Sequence, residues 1–111
     1  MKLTKEAAVD ITIELWTYLA ETGKQKMDWD GWGKYGEMKN YCPLCEYTAQ
    51  HGKSCATGKS CTICPFVIRH GKHCLSNPYR DWDYAITVSA RKKYANEFLN
   101  LLKQIKEKYE T

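Results

Sequence analysis

Two Cys-x-x-Cys pairs constrain this chain more than any other feature. Cys42-Pro43-Leu44-Cys45 is followed, after fifteen residues, by Cys61-Thr62-Ile63-Cys64. Two such turns can each place a pair of sulfurs on one ion and so complete a tetrahedron, the geometry of a closed structural zinc site. Pro43 shapes the first turn by fixing its φ. Lys53, Lys59 and Lys72 offset part of the charge of four thiolates. The expectation is a zinc site built from Cys42, Cys45, Cys61 and Cys64, with Cys74 as a substitute for one of them.

The remaining donors leave alternatives open. Cys55 and Cys74 can form a second site with His70 or His73, or they can be small buried residues. His51, His70 and His73 can be ligands or ordinary polar groups. An iron–sulfur cluster is the rival cofactor. Four cysteines can hold one, and Cys64-Pro65 matches the end of some cluster motifs. The C-x2-C-x2-C run of those motifs is absent.

A staple is useful here because the chain has 111 residues, enough for one domain with one core. Three parts follow one another. Residues 1–23 read as an N-terminal helix: Thr4 as N-cap, Ala8, Ile11, Leu15, Tyr18 and Leu19 on one face, and Gly23 as the stop. Glu6, Asp10 and Glu14 form an acidic row on that helix. The row is expected to be solvated, or else to meet basic residues of a partner or of the last helix. Residues 24–77 show no sustained period, and the metal is the candidate for ordering them. Trp29 to Gly36 reads as turns with rings packed back on the core. Residues 78–111 read as a short helical start with Pro78 at N1 and with Trp82 and Tyr84 packing inward, then a long helix capped by Thr87 or Ser89. Its face is Tyr94, Phe98, Leu101, Leu102, Ile105 and Tyr109. Arg91, Lys92 and Lys93 stand at the wrong end of that helix for its dipole, which hints at another use. The fold class expected is mainly α, with the N-terminal and C-terminal helices packed together around a zinc-stapled irregular or short-β central segment.

Charge is uneven. The segment 42–75 sets Lys53, Lys59, Arg69 and Lys72 against Glu46 alone, within a formal net charge of +4. Such an excess is compatible with an anionic partner without demanding one. No run approaches the apolar length of a membrane span, and none reads as a signal peptide, so the expected compartment is the cytosol, where thiols stay reduced.

Chemistry points away from catalysis. Two full Cys-x-x-Cys pairs leave no open position for water on a zinc ion. The chain has no HExxH, no phosphate-binding glycine loop and no zinc-deaminase signature. Cys-x-x-Cys can act in thiol redox, but the βαβ context of such sites is missing from this pattern.

The order Leu15-Trp16-Thr17-Tyr18-Leu19-Ala20-Glu21, Cys42-Pro43-Leu44-Cys45-Glu46-Tyr47, Cys61-x-x-Cys64-Pro65, Cys74 and Arg91-Lys92-Lys93-Tyr94-Ala95-Asn96-Glu97-Phe98 resembles a group of small cysteine-rich proteins of bacteriophages and prophages. Their function is uncharacterised. The resemblance implies a phage origin and action in the cytoplasm of an infected bacterium. Cys55 and the stretch from His51 to Lys59 depart from it.

Three functions compete. One is a non-enzymatic accessory protein that binds a host protein, including a defence factor. A second is binding of nucleic acid or a cyclic nucleotide, with Trp29, Trp32 and Tyr35 for stacking and Lys34, Lys53, Arg69 and Lys72 for phosphate. A third is a structural phage component.

Overall fold

The computed structural model describes residues 2–38, 41–50, 66, 70 and 78–110, the last three of these without their side chains. Five α-helices and one 3-10 turn order them. They are α1 (Lys5–Thr22), the 3-10 turn (Lys26–Asp28), α2 (Gly31–Tyr35), α3 (Pro43–Gln50), α4 (Tyr79–Tyr84) and α5 (Val88–Glu110). The first and last long helices pack against each other, as expected. In the central segment, residues 26–28, 31–35 and 43–50 are helical, and no strand occurs among the described residues.

Helix α1 starts and stops where its caps dictate. Thr4 is the N-cap, and its hydroxyl accepts from Ala7 N at 3.1 Å. Gly23 closes the other end with φ 70°, donating its N–H to Leu19 O at 2.9 Å. A side chain at Gly23 meets two obstacles. The left-handed backbone disfavours it, and an added Cβ would stand 2.6 Å from Val88 Cγ1 and 3.0 Å from Val88 O. Gly23→Ala is therefore expected to cost about 1–3 kcal/mol. Urea unfolding would read that loss, and an unchanged midpoint would contradict the close approach of α1 and α5.

The buried side of α1 is wider than one stripe. Ala8, Val9, Ile11, Thr12, Leu15, Trp16 and Leu19 are buried, and Tyr18 is half-buried. The helix needs that width because it packs along α5 and also against α3. Thr12 is tolerated inside because its hydroxyl donates to Ala8 O at 2.7 Å. Leu15 and Leu19 are 0 % exposed. Each such burial stabilises by roughly 1.5–3 kcal/mol.

Helix α5 is capped by Thr87, whose hydroxyl accepts from Ala90 N at 3.1 Å. It buries Ala95, Phe98, Leu99, Leu102 and Ile105, while Tyr94 and Leu101 are half-buried. The basic start of this helix has a structural use in Arg91. Its Nε donates to Gly23 O at 2.6 Å and its Nη1 to Ile86 O at 3.2 Å. The last turn of α1 has no basic residue of its own. Arg91 thus supplies the cation that the negative end of α1 favours. The acidic row of α1 is partly engaged. Asp10 pairs with Lys106 of α5 at 3.2 Å, and Glu14 accepts from Tyr35 Oη at 2.6 Å. Asp10 and Lys106 are both about half exposed, so that pair is worth at most ~1 kcal/mol.

Two aromatic clusters flank α1. In the first, Trp16 lies 4.5 Å from Phe98, 4.8 Å from Trp82 and 5.5 Å from Tyr79, centroid to centroid. Phe66 stacks on Phe98 from another side at 5.2 Å. In the second, Trp29 meets Trp32 edge-on at 5.0 Å and Tyr35 at 6.0 Å. Gly31 lies beneath the Trp29 ring, where an added Cβ would come within 2.3 Å of ring carbon. That contact, with Trp32 Nε1 donating to Lys26 O at 2.9 Å, folds the expected turns into the 3-10 turn and α2.

Candidate metal-binding thiol site

Cys42 and Cys45 occupy the N-terminal turn of α3. Cys42 is the N-cap: its carbonyl accepts the first intrahelical bond, from Glu46 N at 2.9 Å. Pro43 is the first helical residue, where its missing N–H costs nothing. The sulfur of Cys42 fills the position that a serine or aspartate oxygen takes in other helices, accepting from Cys45 N at 3.4 Å. The chain enters this turn through Tyr41, a non-glycine residue with φ 48°. Its N–H donates to Met38 O at 2.9 Å, and its ring packs 5.7 Å from Trp32. Those contacts hold a backbone conformation that side chains disfavour, and they aim Cys42 at the helix end.

The electrostatics of the turn favour a thiolate. Cys42 is held down from the ordinary 9.0 to about 6. The Cys45 thiol donating to its sulfur is the largest cause. Burial opposes the shift, and the Lys26 ammonium and the N–H groups of Cys45 and Leu44 add to it. Lys26 arrives from the 3-10 turn and donates to Tyr79 Oη at 2.6 Å, with its Nζ 5.0 Å from the ring centre. Burial works against the ammonium. Tyr79, Cys42 and Cys45 outweigh it and raise its pKa. Burial likewise raises Tyr79 against the pull of Lys26, so both partners stay protonated.

The sign of the pH dependence follows. The folded chain lowers the Cys42 pKa, so the unfolded chain binds more protons between about pH 6 and 9. In reduced, metal-free protein this contribution is fully present above the ordinary thiol range and is lost as pH falls through about 6. The urea midpoint should therefore rise across that window. Cys42→Ser should flatten the rise; a flat profile in the wild type would refute the thiolate assignment.

The chemistry available is that of two soft donors on one turn, with a cation close by. That is half of a tetrahedral thiolate site. Cys61, Cys64 and the substitute Cys74 lie outside the described residues, as do Cys55, His51 and His73. Among the described residues, no group of three or more His, Cys, Asp and Glu stands ready to hold a metal. His70 is engaged elsewhere. Its Nε2 is 2.9 Å from Leu101 O, so that nitrogen carries the proton, and its ring packs on Phe66 at 4.8 Å.

The residues considered for ligand stacking separate into three kinds. Trp29 and Trp32 are only 7 % and 8 % exposed and belong to the core. Tyr35 is half-buried and hydrogen-bonded to Glu14, with Lys34, exposed, 4.9 Å above its ring. Lys53, Arg69 and Lys72 lie outside the described residues. Sequence reasoning missed Lys26 and Tyr79. Both are far in sequence from Cys42, and neither is marked by a local pattern.

No helix among the described residues is long and apolar enough to cross a membrane. Compared with protein-family models, curated proteins and solved structures, the chain matches none at a significant level.

Proposed function

We propose that this chain is a zinc-stapled phage accessory protein that works without catalysis, by binding and modulating a protein of the host cell, with defence factors the foremost class of target. The carrying observation is where the apolar surface lies. Tyr84 at the end of α4, Ile86 on the link and Val88 at the start of α5 are 70 %, 90 % and 49 % exposed. Single exposed apolar residues are ordinary, but three alternate exposed positions across the α4–α5 junction offer an apolar edge. Arg80 and Asp83 precede that edge, and Lys92 and Lys93 follow it; all four are exposed, leaving the border net basic. Such a border suits a partner surface that is apolar at its centre and acidic at its rim. The resemblance to small phage proteins supports the host setting, and the turn bearing Cys42 and Cys45 supports the staple.

Nucleotide binding is the less favoured reading. A base could stack on Trp29 or Trp32 only by opening the second aromatic cluster.

Affinity capture from lysate of the host bacterium tests the proposal. The wild-type chain should retain one protein at constant stoichiometry. A Tyr84→Ser/Ile86→Asp variant should lose it while melting at the same temperature, because both side chains face solvent. Equal capture by both chains, or capture of nucleic acid alone, would reject the proposal.

A further inference from the structure

The apolar edge at the α4–α5 junction has a counterpart on the same molecule. Residues 23–27 leave the end of α1 and run alongside that junction. Gly23 O accepts from Arg91 Nε at 2.6 Å, and Lys26 Nζ donates to Tyr79 Oη at 2.6 Å. A Cβ at Gly23 would stand 2.6 Å from Val88 Cγ1 and 3.3 Å from Lys92 Cγ. Met27 follows directly and is 63 % exposed. Met27, Tyr84, Ile86 and Val88 are the exposed large apolar residues among the described residues. These contacts bring all four to one end of the paired helices α1 and α5. Exposed apolar side chains are ordinarily scattered, so their gathering at one end marks an interaction surface.

Charge divides this end into two flanks. On the α4–α5 flank, exposed Arg80, Lys92 and Lys93 stand against exposed Asp83, three cations to one carboxylate. On the flank made by the end of α1 and the turn after it, exposed Glu21, Asp28 and Asp30 stand against exposed Lys24, three carboxylates to one ammonium. Lys26 is turned inward onto Tyr79. The basic edge suits a surface that is apolar at its centre and acidic at its rim. Met27 with Glu21, Asp28 and Asp30 is such a surface.

We infer that the surface covering this edge is a second copy of the same chain, in a two-fold dimer. An axis near Gly23, where the flanks meet, lays the acidic flank of each copy on the basic flank of the other. Met27 of each copy covers Ile86 and Val88 of the other, and every pairing of opposite charges is made twice. The patch is small, so the dimer is weak and concentration-dependent. It uses the edge assigned above to a host protein, so self-association and target binding exclude one another. The inference does not rest on that target, because it needs only the chain itself.

Sedimentation equilibrium of the purified full chain tests it, under reducing conditions that exclude disulfides between copies. The mean mass should rise with concentration from one chain toward two, and no further. Raising the ionic strength from about 0.05 M to about 0.5 M should weaken the dimer about fivefold, because its rim pairs are screened. Ile86→Asp should stay at the one-chain mass and melt as the wild type does. Lys92→Glu/Lys93→Glu and Glu21→Lys/Asp30→Lys should each associate less than the wild type, since each gives both flanks one sign. An equal mixture of the two should recover the wild-type mass. A one-chain mass at every concentration, undiminished association of Ile86→Asp, a mixture that recovers nothing, or growth past two chains would overturn the inference. A one-chain mass with a host protein captured at the edge removes the dimer and leaves the proposed function; a two-chain mass with no host protein captured does the reverse.

Discussion

Trp16→Ala is expected to cost about 3–5 kcal/mol, the range for removing a large buried ring that leaves a cavity. Trp16 is 2 % exposed, and three aromatic rings from two other helices lie within 5.5 Å of its own. Tyr79 and Trp82 belong to α4 and Phe98 to α5, so this one side chain joins three elements. Deleting it removes dispersion contacts on all sides, and rigid rings close poorly over a void. A domain of this size has only about 5–15 kcal/mol to lose. The urea midpoint should fall steeply, with Trp16→Phe intermediate between the variant and the wild type. Ile86→Ala is the internal control: that side chain is 90 % exposed, and its loss should stay within about 0.5 kcal/mol. Equal effects of the two alanine changes would mean that Trp16 is not the hub of the core.

The parts of this fold that the sequence foretold are those governed by local chemistry. Thr4, Gly23 and Thr87 act through hydrogen bonds within one turn of their own position, so composition alone marks them. The long helices were legible from their apolar spacing. Their full width was not. Val9, Thr12 and Trp16 are buried beyond that stripe because α1 also packs against α3, and Trp16 against Tyr79 and Trp82 of α4. The described helices of the central segment were hidden for a related reason. Gly31 and Gly33 weaken α2 on propensity, and what makes it helical is the Trp29 ring above Gly31 and the Trp32 bond to Lys26 O, both tertiary contacts. Arg91 looked misplaced on its own helix because its partner is the end of another, 68 residues away. The candidate site followed the same division. The Cys-x-x-Cys spacing named Cys42 and Cys45, but their setting on a helix end beside Lys26 needs the folded chain. Trp82 packs inward as expected, but Tyr84, expected inward too, ends α4 and is 70 % exposed; as with Ile86, only its exposure marks the edge on which the proposed interaction rests.

Zinc should stabilise the chain by about 4 kcal/mol when its free concentration is about a thousandfold above the dissociation constant, because an ion that binds only the folded state shifts the folding equilibrium by mass action. The proposed staple supplies the reason for such an ion to bind. Cys42 and Cys45 are held on one turn before metal arrives, so two of four donors are already placed. The remaining donors are assigned by sequence to Cys61 and Cys64, with Cys74 in reserve, and substitution separates them. Cys42→Ser, Cys45→Ser, Cys61→Ser and Cys64→Ser should each abolish the zinc-dependent rise in melting temperature, whereas Cys55→Ser should keep one equivalent of zinc. If Cys64→Ser keeps the metal and Cys74→Ser loses it, the fourth donor is Cys74. Affinity should also fall as pH drops through about 6, where a proton begins to compete for the Cys42 sulfur. The pH dependence of zinc binding, measured by competition with a chromophoric chelator, should therefore steepen below that value in the wild type. Bound iron with visible absorbance in place of zinc would turn the staple into a cluster. A melting temperature indifferent to zinc at every pH would remove the staple and leave the aromatic core as the main support of the fold.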